Sequence, residues 1–153
     1  MNDAMIQSLY MVVIMQEDLE QAVDFYEHLG LAKIFYLPGK WAEFGIQGVR
    51  IGLCPSSQVE RGKHTGIVFQ VHDMQATYDR LSARGVEFAT APISATHGLM
   101  ASCYDPSGNK IDLYQPTHHK VKEVLDEAQK DGKCTENKKS DNGGCCQKKD
   151  TCC

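Results

Sequence analysis

The chain has 153 residues, of which 42% are hydrophobic and 24% are charged, as in a single globular domain with a buried core. Its formal net charge is −4, and residues 130–153 carry six Lys against four acidic residues, so the acidic excess lies before residue 130. An acidic body argues against nucleic acid as a partner, because nucleic-acid affinity rests largely on Lys and Arg that neutralise phosphates.

The hydropathy of the sequence and its first residues give expectations about location. No apolar run approaches the roughly 20 residues that a membrane-spanning helix needs, so we expect no membrane partner. The first ten residues, MNDAMIQSLY, lack the basic region of a secretory signal, so we expect a cytoplasmic location. In that reducing compartment the seven cysteines would stay thiols or metal ligands, and their odd number does not fit a fully paired disulfide framework.

Two segments of the chain repeat one pattern at an offset of 55 residues. Residues 12–18 (VVIMQED) and 67–73 (IVFQVHD) are strand-like and end in Asp, and twelve residues after each Asp stands a glycine, Gly30 or Gly85. An Asp before an amphipathic stretch is a helix N-cap, and a Gly after the stretch is a helix stop. The repeat therefore predicts a strand followed by a helix in each half.

Each predicted helix is followed by three short strand candidates, separated by Pro-Gly, Gln-Gly and Asp-Pro-Ser-Gly-Asn turns. The candidates are residues 32–37, 41–46 and 49–54 in the first half, and 86–90, 99–104 and 110–114 in the second. This order predicts an α+β domain over residues 1–116, built from two tandem βαβββ units at 9–60 and 64–115.

The rest of the chain divides into a helix and a tail. Apolar residues recur at helical spacing from Val121 to Ala128, which predicts a C-terminal helix over residues 117–132. Residues 133–153 have almost nothing apolar to bury and hold five of the seven cysteines, so we expect a flexible, Cys-rich tail.

Several short motifs are similar to those of the vicinal oxygen chelate superfamily, which includes glyoxalase I, extradiol dioxygenases, and fosfomycin- and bleomycin-resistance proteins. The motifs are DLE (18–20), DFY (24–26) and LGL (29–31) in the first unit, and VHD (71–73), RGV (84–86) and DPSGNKIDL (105–113) in the second. The similarity spans residues 9–115 and implies that the two units form an open, cup-shaped sheet. Because the family hosts many chemistries, the resemblance alone does not give the function.

Metalloenzymes of the family place their ligands on the first and last strand of each unit. Internal symmetry locates the corresponding positions here as Met11, Gly52, Gly66 and Asp112. Only the carboxylate of Asp112 can ligate a hard divalent ion, and one carboxylate does not hold a metal against water. We therefore expect that the usual family metal is absent.

An atypical metal site is the alternative at this point. His64 lies two residues before Gly66, hence on the same strand face, and it could join Asp112 and Glu43 as a sparse set of ligands. The simpler interpretation, which we favour, is that His64 is a surface residue in the loop RGKHTG.

Strand alternation indicates which residues line the cup. The set mixes one large aromatic side chain with charged and polar ones, as expected for a site that binds a small organic molecule with an apolar body and a polar handle. The predicted ligand-binding residues are Trp41, Glu43, Arg50, Gln70, Asp112 and Tyr114. Two other roles stay open: Glu43 and Arg50 could pair with each other, and Trp41 could pack in a dimer interface.

The tail carries the pattern C-C-x5-C-C, formed by Cys145, Cys146, Cys152 and Cys153. Thiolates select Zn, Cu(I) and other thiophilic ions over Mg or Ca, so we predict that these cysteines bind a thiophilic metal ion. Two alternatives are a redox-active vicinal disulfide and exposed thiols without a specific role.

The sequence thus predicts a small-molecule-binding protein, with a cup completed by a second copy in a homodimer and without defined catalytic residues. Two alternatives belong to other functional classes. One is an enzyme, a metal-dependent lyase or dioxygenase of the same superfamily; the other is a metalloid-handling protein in which the tail captures the ion.

Overall fold

The computed structural model of the protein describes residues 5–6 and 8–131. These residues form eight strands and three helices. The elements are β1 (Val12–Gln16), α1 (Leu19–His28), β2 (Ala32–Leu37), β3 (Trp41–Ile46), β4 (Val49–Pro55), β5 (His64–Gln70), α2 (Met74–Ala83), β6 (Phe88–Ala95), β7 (Gly98–Tyr104), β8 (Lys110–Pro116) and α3 (His118–Asp131). None of the helices among these residues is long and apolar enough to cross a bilayer.

The strands form two four-stranded sheets with the same internal order. The first sheet is ordered β1-β4-β3-β2 and the second β5-β8-β7-β6. In each sheet the first and last strands of the unit pair in parallel, and the other neighbours pair antiparallel. This confirms the predicted α+β fold of two tandem βαβββ units followed by a helix; the predicted flexible tail lies outside the described residues.

Several strand bounds differ from the prediction, and the largest difference is in the sixth strand, which begins at Phe88. The sixth strand was predicted at residues 86–90, but β6 continues to Ala95, which pairs with Gly98 at the hairpin turn. Pro92 lies inside it, and a proline is tolerated there because β6 is an edge strand with a register shift between Thr90 and Ile93.

Helices α1 and α2 begin in the same way, each with an Asp N-cap. The Asp18 carboxylate accepts a hydrogen bond from the Gln21 backbone N–H (3.0 Å), and the Asp73 carboxylate accepts one from the Ala76 N–H (2.9 Å). Each bond satisfies a backbone donor that the first helical turn leaves free. These contacts confirm the two predicted helix N-caps.

Helix α1 covers one face of the first sheet and α2 covers one face of the second, and the hydrophobic core lies between the helices and the sheets. On β3 and β4 every second residue points into this core, as the period of two requires. The buried hydrophobic residues include Ala22, Tyr26, Ala42, Phe44, Ile51, Leu53, Met74, Leu81, Ala101, Cys103, Ile111 and Leu113. Neither α1 nor α2 covers the other face of each sheet, and we call these two faces the open faces; α3 contacts the second sheet through β7.

A buried carboxylate joins the two units. Asp105, in the loop between β7 and β8, accepts hydrogen bonds at Oδ2 from Gln16 Nε2 (2.7 Å), the Tyr26 hydroxyl (2.9 Å) and Asn109 Nδ2 (2.9 Å). Its Oδ1 accepts from the backbone N–H groups of Ser107 and Asn109. Burial, followed by the charge of Asp105, raises the pKa of Tyr26 well above its ordinary value of 10.0. A loop of the second unit is thereby anchored to β1 and α1 of the first.

Candidate functional site

On the open face of the first sheet, four side chains are joined in a row by hydrogen bonds and one ion pair. Trp41 Nε1 donates to Glu43 Oε1 (3.0 Å), and Glu43 Oε2 pairs with Arg50 Nη2 (2.8 Å). Arg50 Nη1 donates to the Tyr10 hydroxyl (3.1 Å), and the guanidinium lies 5.5 Å from the Tyr10 ring centroid. The neighbouring strands β3 and β4 hold the first three residues on one face, because side chains alternate along each strand.

The Trp41 indole lies on the backbone of Gly52. A Cβ at position 52 would lie 2.6 Å from Trp41 Cζ2 and 2.8 Å from Met11 Sδ, far inside van der Waals contact. Glycine is therefore required at this position as long as the indole keeps its place. The result is a flat apolar surface of indole and thioether beside the charged Glu43–Arg50 pair.

The open face of the second sheet carries a different polar group. His64 Nε2 lies 2.8 Å from Asp112 Oδ2, and the Ser102 hydroxyl donates to Asp112 Oδ1. The Gly66 backbone N–H donates a hydrogen bond to His64 Nδ1 (2.9 Å). Because Nδ1 is the acceptor, the ring N–H is at Nε2, which donates a hydrogen bond to Asp112. The buried Asp112 carboxylate thus has a donor on each oxygen.

The preferred interpretation of His64 as a surface residue in a loop was half right: the residue is exposed, but it does not lie in the loop. His64 is the first residue of β5, and its ring is half exposed beside Asp112. The physical reason is a shift in the β5–β8 register between His64 and Val68, where Gly66 adopts a φ of 75°. That backbone conformation is open to glycine and costly for other residues, and the sequence did not reveal its effect on the histidine.

The residues at the family's metal positions do not fit a metal ion. Met11 offers a thioether, Gly52 and Gly66 offer no side chain, and the indole covers Gly52. The alternative set of three is also incomplete, since Glu43 is held by Trp41 and Arg50 while His64 binds Asp112. Within the described part of the chain, no three His, Cys, Asp or Glu side chains are grouped so that they could hold a metal.

The six predicted ligand-binding residues form two groups of three. On the first sheet, Glu43 contacts both Trp41 and Arg50. On the second sheet, Asp112 and Tyr114 lie two residues apart on β8, and Gln70 pairs with Tyr114 in register. The four predicted metal-binding cysteines of the tail lie outside the described residues.

Sequence reasoning missed two residues of these networks. Tyr10 precedes β1 and meets Arg50 only through the folded sheet. Ser102 lies opposite Asp112 in the β7–β8 register, and counting residues across the 105–109 turn is the signal that could have identified it.

Large apolar side chains are exposed beside both groups. They include Val13 and Met15 on β1, Ile34 on β2 and Val68 on β5, each between 44% and 53% exposed. Such side chains next to polar groups suit a ligand with an apolar body and a polar handle, or a second protein surface.

Comparisons with known proteins agree with this fold. A sequence model of the Glyoxalase/Bleomycin resistance protein/Dioxygenase superfamily matches residues 8–113. The chain is 29% identical over 119 residues to the glyoxalase domain-containing protein RDO1 of Mycosarcoma maydis, covering 71% of this chain and 68% of that protein.

Two solved structures extend the comparison. TnmS3, an antibiotic binding protein from Streptomyces sp. CB03234, is 27% identical with a TM-score of 0.63, and the match covers 74% of this chain and 99% of TnmS3. The fosfomycin resistance protein FosX from Listeria monocytogenes is 21% identical with a TM-score of 0.65, covering 78% of this chain and 99% of FosX. The FosX match shows a shared fold.

Proposed function

The chain belongs to the Glyoxalase/Bleomycin resistance protein/Dioxygenase superfamily, and from that premise we propose that it binds a small organic molecule on its open sheet faces without the family's metal. The observation that carries this proposal is the Trp41 indole lying over Gly52, at one of the family's metal positions. An apolar platform there favours stacking of a ligand over coordination of an ion. The 27% identity to an antibiotic binding protein supports the same class of function.

The side chains suggest how a ligand would be held. An aromatic or other flat apolar group would stack on the indole, because aromatic side chains offer large contact areas and few rotatable bonds. Arg50 is 36% exposed and keeps N–H donors beyond those used by Glu43 and Tyr10, so it can bind a polar or anionic group of the ligand.

We further propose that the protein acts as a cytoplasmic homodimer, with neither nucleic acid nor a membrane as partner. The exposed Val13, Met15, Ile34 and Val68 side chains leave apolar area uncovered on both open faces. A second copy that covers part of this area would enclose the ligand and exclude water from it. Sedimentation velocity of the full chain tests the dimer, and a single monomeric species would contradict it.

The ligand site can be tested through intrinsic fluorescence, since Trp41 is the only tryptophan of the chain. The probes are a panel of aromatic antibiotics and the hemithioacetal of methylglyoxal with glutathione. We expect at least one probe to quench Trp41 and to raise the midpoint of thermal unfolding.

Variants separate this site from unspecific binding. Arg50→Gln should weaken binding about tenfold, because one charge-assisted hydrogen bond is lost. Arg61→Gln, an exposed arginine that lies off these networks, is the matched control and should leave affinity unchanged. The proposal would be wrong if no organic probe stabilised the protein while Ni²⁺, Zn²⁺ or Fe²⁺ stabilised a variant without the four tail cysteines.

For the tail, we propose that Cys145, Cys146, Cys152 and Cys153 bind a thiophilic ion. Adjacent cysteines on a lysine-bearing segment supply thiolates, which are the donors that soft metals prefer. Competition of the reduced full chain with a chromophoric Zn²⁺ chelator should show tight binding that is lost when all four are changed to Ser. Cys54→Ser is the matched control, and equal Zn²⁺ binding by the four-Ser variant would refute the proposal.

A further inference from the structure

The duplicated fold creates two junctions between its units, and they are built differently. In the filled junction, Gln16 and Tyr26 of the first unit bind Asp105 of the second. At the offset of 55, the equivalents of Gln16 and Tyr26 are Val71 and Leu81, which have no polar group to offer. We call the region around Val71 and Leu81 the hollow junction.

The hollow junction is a cleft of about 520 Å³ on the helix side of the sheets. The loop that would fill it is short: β3 and β4 are joined by Gln47-Gly48, whereas five residues, 105–109, join β7 and β8. Half of the residues that line the cleft are aliphatic or aromatic. Its apolar residues include Leu31, Ile46, Phe69, Val71, Leu81 and Leu113. A second cavity of about 350 Å³ shares four lining residues with the cleft: His28, Leu29, Leu81 and Arg84.

Two guanidinium groups line the cleft. Arg80 and Arg84 lie one helical turn apart at the end of α2, and His28 and His72 also line the cleft. Arg84 Nη1 donates to the His28 carbonyl (3.2 Å), so it bridges the two units at this point. The acidic residue of the lining, Asp73, already caps α2 through the Ala76 N–H.

We propose that the hollow junction binds an amphipathic carboxylate, with its hydrocarbon chain along the apolar wall and its carboxylate at Arg80 and Arg84. The cleft lining holds two positive side chains, Arg80 and Arg84, and one negative side chain, Asp73. The net positive charge favours an anionic ligand. The cleft is separate from Trp41, Glu43 and Arg50 on the first open face, and Gln70 is the one residue it shares with the six predicted to bind the open-face ligand.

The proposal can be tested with decanoate, using isothermal titration calorimetry of the full chain below the micellar concentration. Decanol serves as the neutral counterpart of equal length. We expect decanoate to bind with a stoichiometry of one per chain and decanol to bind about tenfold more weakly, because decanol lacks the charge that the arginines recognise.

Two variants locate the site. Arg80→Gln should weaken decanoate binding about tenfold, and the matched variant Arg61→Gln, outside the cleft, should not change it. Ala76→Trp places a large side chain in the cleft from an exposed position of α2 and should abolish binding while the protein stays folded by circular dichroism.

Several outcomes would overturn the inference. One is the absence of decanoate binding to the unaltered chain, and another is binding that neither Arg80→Gln nor Ala76→Trp reduces. A third is loss of dimers in the Ala76→Trp variant by sedimentation, which would show that a second copy occupies the cleft. Because Arg50→Gln tests the open face and Arg80→Gln tests the cleft, failure of one proposal is distinguishable from failure of the other.

Discussion

The filled junction and the hollow junction occupy equivalent places in a duplicated fold, yet one is a buried polar network and the other an open apolar cleft. In the first, Asp105 accepts five hydrogen bonds from side chains and backbone. In the second, Val71 and Leu81 line empty space. The difference shows that a repeated backbone plan leaves the contacts between its copies undetermined, because a few side chains and one loop length decide them.

The open faces differ in the same manner. Strands β4 and β8 each contain an I-x-L run, IGL at residues 51–53 and IDL at 111–113. Glu43 lies opposite the middle residue of the first run, Gly52, and Ser102 lies opposite the middle residue of the second, Asp112, so Glu43 and Ser102 are equivalent. In the first sheet the glycine admits the indole of Trp41, whereas in the second the carboxylate holds His64. The two units therefore contribute unlike surfaces, one for stacking and one for hydrogen bonding.

The largest expected effect comes from removing the centre of the filled junction. Asp105→Ala leaves Gln16, Tyr26 and Asn109 with buried donors that have lost their shared acceptor, so the free energy of unfolding should fall by about 3–5 kcal/mol. Chemical denaturation measures the change. As a graded control, Tyr26→Phe removes one donor and should cost about 1 kcal/mol. A loss below that of Tyr26→Phe would show that the network does not hold the units together.

The second prediction concerns the pH dependence of stability, to which the second unit contributes a buried cysteine, Cys103, that the first unit does not have. In the two registers Cys103 corresponds to Phe44, since each lies opposite the isoleucine of its I-x-L run. Burial raises the pKa of Cys103 from its ordinary value of 9.0 to about 12, so the folded protein holds the thiol proton more tightly than the unfolded chain does. Its contribution to stability is therefore complete below pH 9 and is lost as the pH rises towards 12.

Cys103→Ala should make this alkaline loss shallower by about 1.4 kcal/mol per pH unit above pH 9. Urea denaturation between pH 8 and roughly 10.5 measures the slope, and Cys54→Ala on the half-exposed end of β4 is the control. Because burial and the charge of Asp105 also raise the pKa of Tyr26, a residual slope is expected. Equal slopes with and without Cys103 would contradict the assignment.

The smallest expected effect on stability comes from removing a helix N-cap, and it should be the same in both units. Asp18→Ala and Asp73→Ala each remove a helix N-cap of nearly identical geometry, so each should lower the free energy of unfolding by about 1 kcal/mol. Thermal or chemical denaturation of both variants gives the comparison. A cost at Asp73 clearly different from that at Asp18 would mean that the neighbouring cleft couples to the cap.

Local signals made much of the fold predictable. The two Asp caps, the glycines after the helices and the turn residues lie within a few positions of the structure that they determine. The strand β6 exceeded its predicted length because its last residues are held by pairing across a hairpin, a contact that propensity does not contain. Of the candidate site, strand alternation correctly grouped Trp41, Glu43 and Arg50 on one face.

By itself the sequence determined the duplicated βαβββ plan, its helix ends and which strand residues share a face, because these follow from short-range backbone preferences and from the strand period of two. Only the tertiary structure decided that His64 reaches Asp112, that Trp41 covers Gly52 and that one junction is filled while the other is hollow. Each of these depends on register shifts, loop lengths and packing between residues distant in the chain, which no local pattern specifies.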